Sequence, residues 1–260
     1  ESGIGKSIGL ENFGINAWEN NFNVLYLSLE MPKNQIGFRM DSRVMRMLYS
    51  KFRKGEFSKK EMEEWKHSIE RYRKTKSNFF EIVSFPRGCR PSDIEMEAER
   101  TQDKHGKKVD IIIVDYLNIM TPNFTKANVS DRDWKGQVDV AWELKEIATD
   151  FDSEGVVVWT GNQIKDEAEK ADFIQKKHFK YGRGIIEVSN IAVALAQSAD
   201  DELEDVMSFQ IVKVRDIEKI EPITLRPNYD IMTLHDEVGH FNDLETIRRK
   251  QAKKRDHSNE

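Results

Sequence analysis

The residues with the clearest chemical meaning stand at the very start of the chain. The second half of the phosphate-loop pattern G-x-x-x-x-G-K-[ST] is present there, in Gly3, Gly5, Lys6 and Ser7. In such a loop, backbone N–H groups and the N-terminus of the next helix face the phosphates of a nucleotide. Lys6 would contact the β- and γ-phosphates, and the Ser7 hydroxyl would bind Mg²⁺. Taken alone, this short pattern is also compatible with an ordinary glycine turn before a helix.

Two acidic residues follow apolar segments that have the composition of buried strands. Glu30 comes after Val24–Leu29, and Asp115 ends the run Ile-Ile-Ile-Val-Asp. An aspartate at the carboxyl end of a strand lies where the Mg²⁺ of a phosphate-loop enzyme binds. A glutamate at that edge can orient the attacking water and remove its proton. Either acid alone is a common strand-end residue, but the order loop, helix, strand–Glu and strand–Asp predicts binding of ATP and Mg²⁺.

The elements that must position these residues alternate between strand and helix. Short aliphatic or β-branched runs predict five buried strands, at Asn23–Leu29, Val109–Asp115, Gly155–Thr160, Ile191–Gln197 and Val206–Arg215. Apolar periodicity and capping residues predict helices at Lys6–Glu19, Lys33–Tyr49, Ser58–Lys74, Pro91–Lys104 and Trp134–Asp152. This alternation predicts an α/β fold, doubly wound or RecA-like, with a mostly parallel sheet flanked by helices.

The C-terminal third departs from that alternation. Three consecutive strands without helices between them are predicted, at Val206–Arg215, Pro222–Arg226 and Asp230–Leu234. The simple interpretation is an antiparallel extension on one edge of the sheet. Residues 1–240 are therefore expected to form one ATPase domain. Residues 241–260 are expected to form a charged tail, which is either a solvated end or a contact to DNA or a partner.

Composition and charge exclude several other classes of protein. The chain has 260 residues, of which 38% are hydrophobic and 33% are charged. No apolar run is long enough for a membrane span and no signal peptide is evident, so a cytosolic location is expected. The single cysteine, Cys89, excludes an internal disulfide framework and a cysteine-based zinc site. The net charge of −5 decides nothing about DNA binding, because a basic channel can lie on an acidic body.

Two segments carry a resemblance to a known family. The residues VLYLSLEM at 24–31 and IIIVDYLNIM at 111–120 resemble segments of replicative DNA helicases of the DnaB type, most of all the bacteriophage versions. The resemblance extends from Gly3 to about Asp216, and it implies that the first strand and the start of the phosphate loop are missing. It implies a RecA-like ATPase domain that forms a homo-hexamer, binds ATP and Mg²⁺ between subunits and unwinds duplex DNA 5′ to 3′. The partners it implies are single-stranded or forked DNA, a primase and a helicase loader, in the cytoplasm of a bacterial or phage-infected cell.

The resemblance also assigns roles to residues at the ends of strands. Glu30 corresponds to the catalytic glutamate, and Asp115 corresponds to the aspartate associated with magnesium. Gln163 takes the place of the glutamine that senses the γ-phosphate. Lys213 and Arg215 correspond to a K-x-R pair that reaches the nucleotide of the neighbouring subunit. Because residues i and i+2 of a strand share one face, these two cations form a tip suited to stabilising charge in the transition state.

A polar segment between residues 163 and 191 is the predicted DNA contact. In the family, loops of this region line the central channel and follow the DNA backbone, and the candidates here are Lys177, Lys180, Arg183 and Gly184. Lysine and arginine give phosphate contacts that tolerate any base sequence. The family's acidic-serine-glycine stretch is not reproduced in this segment. A second candidate loop contains Lys126, Arg132 and Lys135.

Two alternatives from other classes stay open at this point. A RecA-type recombinase or a KaiC-like ATPase would share the same core, and strand exchange in place of duplex unwinding would distinguish a recombinase. A non-hydrolysing helicase loader or nucleotide sensor would bind ATP without useful turnover. The joint presence of Glu30, Lys213 and Arg215 argues against that second alternative.

Overall fold

The first part of the chain forms a parallel sheet. The computed structural model describes residues 5–124, 134–162, 183–197, 199–215 and 221–236. The strands of this sheet are β1 Val24–Ser28, β2 Phe80–Ser84, β3 Ile111–Asp115 and β4 Val157–Thr160. They pair in the order β2-β1-β3-β4, and every pair is parallel. The predicted parallel sheet is confirmed, and it contains one strand, β2, that was not predicted from the sequence.

Helices connect the strands. They are α1 Lys6–Glu19, α2 Lys33–Met45, α3 Tyr49–Lys54, α4 Lys59–Thr75, α5 Pro91–His105, α6 Trp134–Asp150, α7 Arg183–Val188 and α8 Ala199–Leu203, with 3₁₀ turns at Leu117–Ile119 and Phe151–Ser153. The predicted capping box opens α4, because Glu61 N donates to Ser58 Oγ at 3.3 Å and Ser58 N donates to Glu61 Oε2 at 2.9 Å. The helix predicted at Lys33–Tyr49 is shorter than expected, since Arg46 adopts a left-handed conformation (φ 52°) and ends α2. A new helix, α3, begins at Tyr49. No helix in the described ranges is long and apolar enough to cross a membrane.

The C-terminal strands form a second, antiparallel sheet. They are β5 Ala192–Ala196, β6 Met207–Lys213, β7 Ile223–Asn228 and β8 Thr233–Asp236, paired in that order. The antiparallel arrangement predicted for the C-terminal third is confirmed. It begins one strand earlier than expected, with β5. It is a separate sheet and not an extension on the edge of the parallel one, because among the described residues its strands pair only with one another. The strand predicted at Asp230–Leu234 starts later, because residues 229–232 form a turn.

The core lies on both faces of the parallel sheet. Strand β1 is buried along its whole length, and its alternate residues contact opposite layers. Leu25 and Leu27 pack in a cluster with residues of α5 and α6, whereas Val24 and Tyr26 pack with residues of α1 and α2. Each fully buried side chain of this kind contributes about 1.5–3 kcal/mol. This burial on both faces fixes the strand ends at which the candidate site is built.

Candidate active site

The N-terminus of α1 meets the carboxyl end of β3. Gly5 precedes the helix with a left-handed backbone (φ 79°), a conformation that glycine adopts readily. Ser7, in the first turn, donates a hydrogen bond of 3.2 Å to Asp115 Oδ1. The structure therefore brings together the serine of the phosphate-loop pattern and the strand-end aspartate, which are 108 positions apart in the sequence.

The Asp115 carboxylate is held in a defined orientation. The residue is only 2% exposed. The Tyr26 hydroxyl donates a hydrogen bond of 2.8 Å to Oδ2, so that each carboxylate oxygen accepts one hydrogen bond. Burial raises the pKa of Asp115, and the hydrogen bonds from Tyr26 and Ser7 oppose this rise. A cation beside this carboxylate would offset the cost of burying its charge.

The oxygen atoms of Ser7 and Asp115 fit a magnesium ion. Mg²⁺ prefers oxygen ligands and usually takes only one or two carboxylates from a protein, with water and substrate phosphates completing its coordination. No group of three or more His, Cys, Asp or Glu residues that could hold a metal ion occurs in the part of the chain that the structure describes. The hydroxyl and carboxylate therefore suit a cation that is shared with a bound nucleotide.

Glu30 lies at the same edge of the sheet and is exposed. Ser28, the last residue of β1, is in register with Asp115, and Leu29 N donates a hydrogen bond of 2.9 Å to the Asp115 carbonyl. Burial, and then the charge of Glu30, raise the pKa of the Tyr116 hydroxyl. Glu30 therefore stands close to the end of β3 with its carboxylate in contact with water, as a group that activates a water molecule must.

A buried hydrogen-bonded pair of a glutamate and an arginine lies behind this site and was not identified from the sequence. Glu11 of α1 is 2% exposed, and its Oε1 accepts a hydrogen bond of 3.1 Å from Arg39 Nη1 of α2. Burial raises the pKa of Glu11 to about 8, against the lowering effect of Arg39. The pair ties the helix after the phosphate loop to the helix after Glu30. The sequence indicates only that Glu11 lies on the same face of α1 as the apolar residues Ile8 and Ile15.

The two cations expected to act on a neighbouring subunit contact α7 in this chain. Lys213 Nζ donates hydrogen bonds of 2.7, 2.8 and 2.6 Å to the carbonyl oxygens of Ile186, Glu187 and Ser189. Arg215 Nη2 donates to the Glu187 carbonyl at 3.4 Å. Carbonyl groups at the C-terminal end of a helix attract cations. Both side chains therefore lie on the same side, although β6 ends at Lys213 and Arg215 stands two residues beyond it. They cap α7 instead of forming a free tip.

Several candidate residues lie outside the described part of the chain. They are Gly3, Gln163, Lys177 and Lys180, together with Lys126 and Arg132 of the second candidate loop. Arg183 is the first residue of α7, and Lys135 lies exposed in the first turn of α6. At Gly184 a Cβ atom would come within 2.7 Å of Val138 Cγ2, so the absence of a side chain there lets α7 approach α6 closely.

The fold is similar to that of two solved structures. A DnaB-like replicative helicase, solved for its interactions with primase, matches with a TM-score of 0.74 and 20% identity, over 90% of this chain and 55% of that one. The ATPase domain of a phage protein matches with a TM-score of 0.74 and 20% identity, over 91% of this chain and 82% of that one. The chain thus spans about half the length of the DnaB-like helicase. These likenesses establish the predicted RecA-like fold.

The sequence itself matches a family model. Comparison with the curated proteins gives no match. The model described as DnaB-like helicase C terminal domain matches residues 1–173, which is well over half of the chain. This match covers the phosphate-loop residues, both strand-end acids and the whole parallel sheet. The chain therefore belongs to the DnaB-like helicase C-terminal domain family.

Proposed function

We propose that this domain is the ATP-hydrolysing motor of a replicative DNA helicase, which moves along single-stranded DNA and unwinds the duplex at the replication fork. The observation that carries the proposal is the 3.2 Å hydrogen bond between Ser7 and Asp115, with Glu30 at the same edge of the sheet. Membership of the DnaB-like helicase C-terminal domain family supports it. Because the chain covers only 55% of the DnaB-like helicase, the activity of a whole helicase is part of the proposal.

The residues at the carboxyl end of the parallel sheet have different proposed roles in ATP hydrolysis. Backbone N–H groups beside Gly5 and the Lys6 ammonium hold the phosphates of ATP. Ser7 and Asp115 hold Mg²⁺, which supplies positive charge to the phosphates during their transfer. Glu30 orients the attacking water and accepts its proton as the water attacks the γ-phosphate. The buried position of Asp115 and the exposed position of Glu30 support this division of roles.

The remaining steps require further copies of the chain and DNA. In the proposed hexamer, Lys213 and Arg215 of a neighbouring copy stabilise the charge that develops on the γ-phosphate. Gln163 senses the γ-phosphate and passes its state to the DNA segment. The DNA contacts in this segment are Lys177, Lys180, Arg183 and Gly184. Movement 5′ to 3′, a primase and a loader as partners, and action in the bacterial or phage-infected cytoplasm complete the proposal.

DNA-stimulated ATP hydrolysis tests the proposal, with Glu30→Gln as the decisive variant. We expect single-stranded DNA to stimulate turnover in the wild-type protein. The Glu30→Gln variant should lose roughly 10²- to 10⁴-fold in turnover, the usual contribution of a positioned general base, and should still bind ATP. Glu99→Gln, which changes an exposed glutamate of α5, is the matched control and should retain full turnover.

The outcome separates this function from its rivals. Tight ATP binding without turnover, with or without DNA, would rule out the motor function and indicate a nucleotide-sensing or loading module. Turnover that promotes strand exchange but not unwinding of a forked duplex would indicate a recombinase. Stimulated turnover together with unwinding from a 5′ single-stranded tail would support the helicase and its direction.

A further inference from the structure

Tyr26 lies in the middle of β1, and its hydroxyl reaches the strand-end aspartate. The residue is fully buried, and its hydroxyl donates a hydrogen bond of 2.8 Å to Asp115 Oδ2. The contact depends on the parallel pairing of β1 with β3, in which Tyr26 stands opposite Ile113 and Ser28 stands opposite Asp115. Because residues two apart on a strand share a face, Ile113 and Asp115 point to the same side of the sheet as the phenol.

The surrounding side chains fix the ring of Tyr26. Its plane is stacked on that of Phe80, with 6.3 Å between ring centroids and 24° between planes. Leu10 of α1 and Ile36 of α2 pack in the same cluster. Close packing of this kind leaves few alternative rotamers, and a buried hydroxyl keeps its partner because leaving it unpaired is costly. The hydrogen bond to Asp115 is therefore built into the core.

The two donors to Asp115 differ in what happens to them when a cation binds. The Ser7 hydroxyl donates to Oδ1 at 3.2 Å, but its oxygen is also the proposed ligand of Mg²⁺. The Tyr26 hydroxyl is not a proposed ligand of Mg²⁺. Among the residues that the structure describes, these are the hydrogen-bond donors to the Asp115 carboxylate. Once Ser7 turns to the cation, Tyr26 is the donor that still holds the plane of the carboxylate.

We propose that Tyr26 is a positioning residue, whose hydroxyl fixes the Asp115 carboxylate and thereby strengthens the binding of the magnesium–nucleotide complex. This inference rests on the proposed function of the Ser7–Asp115 site. Removing a group that holds a metal ligand typically lowers metal affinity or activity about 10- to 100-fold. A tyrosine that served packing alone would change the affinity for nucleotide equally with and without magnesium.

The Tyr26→Phe variant separates these two roles, because phenylalanine keeps every ring carbon and removes only the hydroxyl. We would titrate a fluorescent ADP analogue into each protein, once with Mg²⁺ and once with EDTA. The affinity of Tyr26→Phe should fall about 10-fold or more with Mg²⁺ and stay unchanged in EDTA. Binding of Mn²⁺ in the presence of ADP, measured by electron paramagnetic resonance, should weaken by the same factor.

The controls keep the two proposals distinguishable. Tyr72→Phe, which alters a half-buried tyrosine of α4, should match the wild type in both titrations. If the wild-type protein shows no dependence of nucleotide binding on Mg²⁺, the proposed function itself fails. If the wild type shows it and Tyr26→Phe shows the same ratio of affinities, only the positioning role of Tyr26 is overturned.

A second measurement covers the case in which Tyr26→Phe does not fold. The six tyrosines of the wild-type protein would be replaced by 3-fluorotyrosine, and the Tyr26 signal assigned by substituting the other five. Adding Mg²⁺ to the ADP-bound protein should shift the ¹⁹F resonance of Tyr26. A resonance that does not move would overturn the proposal.

Discussion

At the scale of single residues, the two acids at the carboxyl edge of the parallel sheet differ in their access to water. Asp115 is 2% exposed and each of its oxygens accepts a hydrogen bond. Glu30 is exposed. It directly follows Leu29, whose backbone N–H donates a hydrogen bond to the Asp115 carbonyl at the end of β3. A buried carboxylate with a fixed orientation suits a cation in a constant position. A carboxylate that exchanges protons requires contact with water. Their surroundings therefore match the two different roles proposed for them.

A third acid, Asp41 of α2, lies away from the site and affects stability. Burial raises the pKa of Asp41 from its ordinary value of 3.8 to about 6, and the neighbouring Trp65 opposes the rise. Between these two pH values the folded chain holds a proton that the unfolded chain has lost, so stability falls as the pH rises. The rise corresponds to roughly 3 kcal/mol of destabilisation above pH 6. Asp41→Asn should therefore be more stable than the wild type at pH 7, by up to that amount.

Urea unfolding at a series of pH values checks this prediction. The difference between Asp41→Asn and the wild type should shrink as the pH falls from about 6 to about 4, because the wild-type carboxyl then becomes neutral in both states. Asp103→Asn, at an exposed position of α5, should show no such convergence. A difference for Asp41→Asn that stays constant across the range would mean that burial of this charge is not its cause.

Sequence patterns identify residues that act through a local motif, and they miss partners that only the fold brings together. The spacing around Lys6 and the strand-end position of Asp115 are visible in the sequence. The hydrogen bond from Tyr26 to Asp115 joins residues 89 positions apart, and that between Arg39 and Glu11 joins residues 28 positions apart. Both depend on which strands and helices become neighbours, so no local spacing could predict them.

At the scale of elements, the three most apolar strands of the parallel sheet were predicted, and its most polar strand was missed. Strand β3 is buried over four of its five residues, and its sequence Ile-Ile-Ile-Val-Asp indicates that burial directly. Strand β2 lies at an edge of the sheet and is only partly buried. It contains Glu81, whose carboxylate accepts hydrogen bonds from Lys104 and His105 of α5 at 2.9 and 3.1 Å. An edge strand that turns a charged residue toward a helix lacks the continuous apolar pattern of a central strand.

The turn that leads into β4 depends on a glycine for two separate reasons. Gly155 has a left-handed backbone (φ 78°), and a Cβ atom there would lie 2.7 Å from the Ala148 carbonyl oxygen. That oxygen also accepts a hydrogen bond of 3.0 Å from Val156 N, so it cannot move without cost. We expect Gly155→Ala to lower the free energy of unfolding by about 1–2 kcal/mol for the backbone conformation and by about 1–3 kcal/mol more for the steric clash.

A second glycine allows the energetic cost of the steric clash to be measured separately from that of the backbone conformation. Gly55, after α3, has a similar left-handed backbone (φ 71°), but no atom lies within 4 Å of the position a Cβ would take. Gly55→Ala should therefore show only the loss of about 1–2 kcal/mol for the conformation. Urea denaturation of both variants measures the difference. Equal losses would show that the turn before β4 relaxes around the added methyl group.

At the scale of the whole molecule, α1 joins the two sheets through one buried side chain. Asn12 is 6% exposed and its Nδ2 donates to the Ile8 carbonyl at 2.8 Å and to the Met232 carbonyl at 3.1 Å. Its Oδ1 accepts a hydrogen bond of 3.3 Å from Leu234 N of β8. Helix α1, which begins at the phosphate loop, therefore contacts the antiparallel sheet on one side. On its other side it packs against Tyr26 and the parallel sheet. The sequence predicts the parallel sheet and the antiparallel strands, but their separation into two sheets and the connection through an amide side chain follow only from the three-dimensional structure.

Asn12→Ala should loosen the antiparallel sheet more than the parallel one. The change removes three hydrogen bonds and leaves a carbonyl of the turn and an N–H of β8 without their partner, which costs about 2–4 kcal/mol. The better helix propensity of alanine returns only about 0.5 kcal/mol. Hydrogen exchange measured residue by residue should show faster exchange of the β7 and β8 amides, while the amides of β1 and β3 keep most of their protection. Local opening of this kind is expected where one part of a core loses its attachment to the rest.

A neighbouring asparagine on the same helix provides the comparison. Asn16 is exposed and its Oδ1 accepts a hydrogen bond from Arg43. Asn16→Ala therefore removes the same chemical group from α1 but none of the hydrogen bonds that join Asn12 to β8 and the turn before it. It should leave the exchange of the β7 and β8 amides unchanged. If Asn12→Ala instead lowers protection equally in both sheets, the two sheets unfold as one cooperative unit, and the packing of α1 against β1 and β3 depends on the antiparallel sheet as well. In that case a disturbance of β6, where Lys213 ends the strand, would reach the Ser7–Asp115 site through α1.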